Sequence, residues 1–161
     1  MPGMEPSLQD KFAPQNRCFG CGPANSEGLR LKSHVAANWA IGDEVTCDWL
    51  PAVQYEAFTG MLNGGIIGAL LDCHSNWTAA HQLMRQSGAA QPPCTVTADF
   101  HVKLRKPTLS TAPVHLSARV VESSADRATV EASLSSGGVV TATCRGLFVA
   151  VKEGHPAFHR W

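Results

Sequence analysis

The stretch of sequence that decides the fold runs from residue 63 to residue 85 and reads NGGIIGALLDCHSNWTAAHQLMR. It contains no proline, it opens with a pair of glycines, and the Ser87-Gly88 pair that follows is a common signal for the end of a helix. A helix of this length would be roughly 30 Å long, about the width of a small domain. Its first half is apolar on nearly every side, so we expect this helix to be buried on most sides.

The segments on either side of the helix are patterned as β-strands. Apolar and polar side chains alternate in several of them, and short polar turns between neighbouring runs predict antiparallel pairing. The candidate strands are residues 29–37, 44–50, 114–121, 128–134 and 139–151, with a further strand directly after the helix.

This order of elements predicts one α+β domain, in which a curved antiparallel sheet of five to six strands wraps around a long central helix. An open sheet with the helix lying on one face fits the same periodicity. We place the domain at residues 18–152, between an N-terminal tail at 1–17 and a C-terminal tail at 153–161.

The composition excludes several classes of function. Thirteen basic residues balance thirteen acidic ones, so the chain as a whole does not attract nucleic acid or an anionic membrane. No run reaches the roughly 18 apolar residues that a membrane-spanning helix needs, and the first residues lack the pattern of a secretory signal. We therefore expect a cytoplasmic protein with reduced cysteines and no nucleic-acid or membrane partner.

Cys18 and Cys21 form a Cys-x-x-Cys pair in a loop rich in glycine and proline. A zinc site needs four ligands, and no second pair with suitable spacing follows, although His34 or Cys47 could complete a site in space. The spacing therefore predicts a tight loop with two thiols and no metal site.

The backbone N–H groups at the start of the helix form a candidate binding site. Unpaired N–H groups at a helix N-terminus carry partial positive charge, and Gly64 and Gly65 would let a ligand approach them closely. Such a site can polarise a carbonyl group and hold the oxyanion that forms when that carbonyl is attacked. The same glycines would also suit tight packing where the helix meets the sheet.

Asp72 lies in the apolar part of the helix, where a carboxylate is costly to bury unless it is paired or used. Burial would raise the pKa of Asp72 and make it a better base near neutral pH. Hydrogen bonds from Ser75, Asn76 or a neighbouring chain would give it a structural role instead.

Gly64 and Asp72 are eight positions apart, which is about 12 Å along the helix axis. One carbonyl group cannot contact both in the same chain. If both act on it, Asp72 must come from a second subunit with an antiparallel helix, and a two-fold dimer would then hold two sites.

At these residues the sequence resembles the hotdog-fold acyl-CoA thioesterases, in particular the PaaI-like (phenylacetyl-CoA thioesterase-like) branch. That family has a His-Gly-Gly motif at the helix start and an Asp on the helix, at the spacing found here between Asn63 and Asp72. Residues 97–107 (TADFHVKLRKP) and 18–25 (CFGCGPAN) also resemble family segments, and the resemblance covers roughly residues 18–151.

The resemblance implies a thioesterase that assembles as a homodimer or as a dimer of dimers and needs no cofactor beyond the coenzyme A of its substrate. Asp72 would be the general base or nucleophile, the Gly64 N–H from the partner subunit would polarise the carbonyl, and Gly65 would secure the close approach. Thr97 would orient the water or the acid, and Asn63 stands at the motif's first position.

Three basic residues would contact the phosphates of coenzyme A: Lys103, Arg105 and Lys106. An ordinary solvated strand end is the alternative for this charge run.

The main departure from the family is Asn63 in place of the usual histidine, because an amide cannot carry a proton or a charge. Ala57 likewise lacks the polar side chain of some relatives, and His74 lies on another face of the helix, where packing or a dimer contact suits it. An acyl-CoA-binding domain without catalysis is therefore the first alternative. A hydratase or dehydratase is the second, although such hotdog enzymes usually pair an acid with a histidine in the site.

Overall fold

The computed structural model, which describes residues 5–159 and 161, has one long helix among short and long strands. Within these residues, no helix is both long enough and apolar enough to cross a membrane. A single 3-10 turn at Val53–Tyr55 precedes the second strand. The helices and strands are α1 Leu8–Phe12, β1 Val45–Trp49, β2 Glu56–Phe58, β3 Met61–Leu62, α2 Gly64–Ser87, β4 Thr95–Leu104, β5 Val114–Ser123, β6 Arg127–Ser136 and β7 Val139–Ala150.

The main sheet has five strands in the order β1-β5-β6-β7-β4, and every neighbouring pair is antiparallel. Strands β2 and β3 form a separate two-stranded hairpin just before α2. Helix α2 packs against β4, β5, β6 and β7. The predicted α+β domain, with an antiparallel sheet around a long central helix, is thereby confirmed.

Helix α2 begins and ends on residues suited to those positions. Asn63 is extended at the N-cap, and Gly88 at the C-cap has a φ of 72°, a left-handed conformation that glycine adopts without strain. Leu70, Leu71 and Trp77 from its buried side share one core with the inward side chains of β5, β6 and β7.

Burial along α2 is uneven. Residues 77–84 are all buried, whereas the first half of the helix keeps a half-buried strip formed by Gly68, Ala69, Asp72 and Cys73. The first half is therefore less completely covered than its composition predicts.

The predicted strand at residues 29–37 is wrong. Apart from a single bridge between His34 and Thr46, the segment lies outside the sheet. Its backbone instead pairs with the preceding loop, where the Leu29 N–H donates to the Phe19 carbonyl and the Leu31 N–H to the Gly20 carbonyl. Alternation of apolar residues reports burial on one side, and it does not identify the hydrogen-bond partner.

The segments interpreted as tails contact the domain. Residues 1–4 and 160 lie outside the described part, but residues 5–17 include α1, whose buried Gln9 side chain hydrogen-bonds the backbone and hydroxyl of Ser33. At the other end, the Trp161 ring packs on the Trp77 ring with centroids 4.5 Å apart. Both ends therefore help to cover α2.

His81 generates a testable prediction about acid stability. Its side chain is 5 % exposed, and neither ring nitrogen has a hydrogen-bond partner among the described residues. Burial, helped by the charges of Arg85 and Lys11, lowers the pKa of His81 to about 4. Between pH 6.5 and 4, His81 therefore binds a proton in the unfolded chain but stays neutral in the folded chain. The free energy of unfolding consequently falls as the pH falls.

We expect His81→Leu to reduce the slope of the free energy of unfolding against pH, between pH 6.5 and 4, by at most about 1.4 kcal/mol per pH unit. The measurement is the free energy of unfolding in urea at stepped pH values. An unchanged slope between pH 6.5 and 4 would show that the ring is solvated.

Candidate functional site

Asn63 caps the start of α2 and determines which backbone groups remain available. Its Oδ1 accepts hydrogen bonds from the N–H groups of Gly65 (2.8 Å) and Ile66 (3.3 Å), and its own N–H donates to the Tyr55 carbonyl. Within the described residues, the Gly64 N–H has no hydrogen-bond acceptor. The cap thus leaves one N–H of the helix terminus for a ligand.

A pocket of about 320 Å³ opens beside Gly64, which is within the range of small-ligand sites. Its walls are mainly apolar, with two cations where β4 ends. A Cβ added at Gly64 would lie 2.9 Å from Leu104 Cδ1, in the wall of this pocket. The other lining residues are Ala57, Phe58, Met61, Leu62, Ile67, Arg105, Lys106, Pro107 and Thr108.

Asp72 lies on the half-buried strip of α2 and is held by the edge strand. Thr97 Oγ1 of β4 donates a hydrogen bond of 2.7 Å to Asp72 Oδ1. Burial raises the pKa of Asp72 above its usual value, and the Thr97 hydrogen bond partly offsets that rise. A half-buried carboxylate with one fixed oxygen is suited to accept a proton from a bound water.

Ser75 and Asn76, the two residues of this chain expected to hold Asp72 in a structural role, are engaged elsewhere. The Ser75 hydroxyl contacts Cys144 Sγ at 3.5 Å, and Asn76 Nδ2 donates to the Thr95 carbonyl at 3.3 Å. Thr97 is therefore the hydrogen-bond partner of Asp72.

The structure divides the predicted site residues into two groups. Asn63, Gly64 and Gly65 lie at the helix start with Arg105 and Lys106, while Asp72 and Thr97 lie two turns further along α2. Lys103 points to the other face of the sheet, where it lines a groove with His101 and Arg145. Within one chain, no group of these residues surrounds a single reacting carbon.

His74 belongs to the core, as the packing alternative predicted. It is fully buried, with Nδ1 2.8 Å from Ser33 Oγ and Nε2 2.9 Å from the Val45 carbonyl. Burial lowers the pKa of His74 to about 4, so the ring is neutral near pH 7. It links α2 to β1 and is not exposed to a ligand.

The β2–β3 hairpin is the part of the site that sequence reasoning missed. Four of its residues form one wall of the pocket: Ala57, Phe58, Met61 and Leu62. The available signal was Thr59-Gly60 between two short apolar runs, and Gly60 takes a φ of 82° in that turn.

The cap at Asn63 can be tested by its effect on stability. We expect Asn63→Ala to lower the free energy of unfolding by about 1 kcal/mol, because two N–H groups of α2 lose their acceptor. Asn63→Asp keeps an acceptor oxygen at the same position and serves as the control, with stability near that of the wild type. Urea denaturation measures both, and equal stability of the alanine variant and the wild type would contradict the role of the cap.

Comparisons with known proteins bear on the fold. No protein-family model and no curated protein matches the sequence. Among solved structures, a thioesterase superfamily protein aligns with a TM-score of 0.62 at 18% identity, over 83% of this chain and 63% of its own length. This chain therefore spans less than two thirds of that protein.

Two further structures match over most of both chains. A thioesterase superfamily protein from Shewanella loihica PV-4 has a TM-score of 0.59 at 23% identity, over 81% of this chain and 98% of the other. A phenylacetic acid degradation-related protein from Ralstonia eutropha JMP134 has a TM-score of 0.64 at 16% identity, over 81% and 92%. The chain has the hotdog fold that these proteins share.

Proposed function

We propose that this protein is a thioesterase that hydrolyses a small acyl- or aryl-CoA thioester as a dimer. The observation that carries the proposal is the half-buried carboxylate of Asp72, which accepts a hydrogen bond from Thr97 and lies on the helix whose first residue, Gly64, lines an apolar pocket. A base and an N–H donor are the two groups that hydrolysis of a thioester requires.

The edge strand β4 supports a dimer. It is ten residues long and ends the main sheet, with Thr97, Ala98 and Asp99 exposed along it. Long unprotected edges of this kind invite pairing with another strand. Pairing of β4 with its two-fold copy would extend the sheet, set the two α2 helices antiparallel and cover the half-buried strip that carries Asp72.

In such a dimer, Asp72 of one subunit would face Gly64 of the partner subunit. The carboxylate takes a proton from water while the water oxygen attacks the thioester carbonyl carbon, and the Gly64 N–H stabilises the oxyanion. When the oxyanion collapses, the C–S bond breaks and the proton passes to the departing sulfur, which leaves a carboxylic acid and free coenzyme A. Direct attack by Asp72, followed by hydrolysis of the anhydride, would use the same two groups.

The charges around the pocket suggest how coenzyme A would bind. Arg105 and Lys106 lie where β4 ends, beside the apolar walls that would take the acyl or aryl group. Lys103 would reach a phosphate from the groove on the other face, which it lines together with Arg105. Two cations at the mouth and a third across the strand match a ligand with several phosphates.

The role of Asp72 is tested by free-thiol release from a panel of acyl- and aryl-CoA substrates. We expect Asp72→Asn to lower kcat by about 10²- to 10⁴-fold, because the amide cannot accept the proton. Asp99→Asn, an exposed acid on the same edge, is the matched control and should retain activity. Equal turnover of the Asp72 variant and the wild type would exclude Asp72 as the base. If no substrate releases thiol while acyl-CoA raises the Tm, the protein is an acyl-CoA binder.

A substitution by proline can remove the Gly64 N–H with little other change to the helix. Gly64 is the first helical residue, where proline is tolerated, and Asn63 before it is already extended, as proline requires. We expect Gly64→Pro to lower kcat by about 100-fold or more, whereas Gly64→Ala adds a Cβ but keeps the N–H and should lose far less. Similar losses in both variants would point to crowding against Leu104 instead.

Mixed dimers then show whether the site is shared. If Asp72 acts with Gly64 of the partner subunit, refolding the Gly64→Pro and Asp72→Asn chains together rebuilds one intact site in each mixed dimer. An equal mixture should recover about a quarter of the wild-type activity. No recovery, with mixed dimers shown by mass spectrometry, would rule out a site shared between Asp72 of one subunit and Gly64 of the other.

A further inference from the structure

Three thiols from distant parts of the sequence meet beside the first half of α2. Cys18 and Cys21 belong to the N-terminal loop, and Cys73 lies on α2, 55 positions after Cys18. The three sulfur atoms all lie within 4.8 Å of one another. Cys21 is buried, the other two are half-buried, and all three are free thiols.

The spacing of these sulfurs matches a metal site. Two thiolates bound to one tetrahedral Zn²⁺, each at about 2.3 Å, lie about 3.8 Å apart. The Cys18 and Cys73 sulfurs are 3.7 Å apart. Three thiolates form a soft ligand set that selects Zn²⁺ or a similar thiophilic cation over Mg²⁺ or Ca²⁺.

A hydrogen-bond donor lies beside one of the sulfurs, as donors do beside metal-bound thiolates. Trp77 Nε1 donates to Cys21 Sγ at 3.3 Å.

The loop is also shaped to reach the helix. A Cβ added at Gly20 would lie 2.3 Å from Cys73 Sγ, so only glycine lets the loop backbone come this close. At Gly22, a Cβ would lie 2.4 Å from the Cys18 backbone nitrogen. Both glycines of Cys18-Phe-Gly-Cys-Gly22 therefore maintain the approach of the three sulfurs.

We propose that Cys18, Cys21 and Cys73 bind one Zn²⁺ ion, with a water molecule as the fourth ligand. The ion fastens the N-terminal loop to α2 at the residue that follows Asp72. Within the described residues, neither His34 nor Cys47 belongs to the cluster. The Cys-x-x-Cys spacing alone predicted no metal site. The third proposed ligand, Cys73, lies on the central helix, which the spacing of the first two cysteines does not reveal.

Titration of the reduced, metal-free chain with Co²⁺ tests the site without any substrate. We expect one equivalent to bind per chain, with a thiolate-to-cobalt charge-transfer band in the near ultraviolet and the visible bands of a tetrahedral site. Zn²⁺ should displace the Co²⁺ and raise the Tm. The charge-transfer band is the required readout, because seven histidines could also bind Co²⁺.

Single substitutions locate the ligands. Cys18→Ser and Cys73→Ser should each abolish the charge-transfer band and lower the Zn²⁺ affinity by about 100-fold or more. Cys94→Ser changes a half-buried thiol outside the cluster and should leave both unchanged. Circular dichroism without metal confirms that each variant is folded. Absence of the band in the wild type, or an equal band in Cys18→Ser and Cys73→Ser, would overturn the proposal whatever the outcome of the thiol-release assays.

Discussion

The central helix α2 is apolar on so many sides that the rest of the chain has to keep water away from it. The sheet covers one side through β4 to β7, α1 contacts the helix, and Trp161 packs on Trp77 in its second half. In the first half, the strip of Gly68, Ala69, Asp72 and Cys73 remains half-buried. Because burying apolar surface is the main favourable term in folding, the second subunit of the proposed dimer would be stabilised by covering this strip.

That one constraint explains which parts of the fold could be predicted from the sequence. Helix α2, strand β1 and strands β5 to β7 were predicted within a few residues. Most of the strands have the alternation set by burial on one side, whereas α2 is marked by its length, its lack of proline and its end signals. Residues 29–37 have the same kind of pattern but pair with the loop at Phe19 and Gly20, which is a choice made by tertiary contacts. Helix α1 is too short and too polar for its periodicity to be recognised.

The sequence predicts individual residues of the candidate site but not the contacts between them. Asn63 at the helix start and Asp72 in an apolar run are visible in the sequence, since a cap and a buried acid both have local signatures. The contact of Asp72 with Thr97 depends on the position of β4 against α2, and the pocket depends on a hairpin that was not predicted. Local patterns identify which side chains are unusual, and the packing of distant segments decides what each one contacts.

Asp72 and Cys73 show how one helix can serve two sites. Consecutive helix residues point about 100° apart, so Asp72 faces Thr97 on the edge strand while Cys73 faces Cys18 and the loop. An ion held by the three thiols would resist rotation of α2 about its axis, and the same rotation would carry Asp72 away from Thr97. A 1 Å error in the position of a catalytic base can cost about 100-fold in rate. The proposed metal site would therefore hold Asp72 in place from the neighbouring side of the helix, without contact with the substrate.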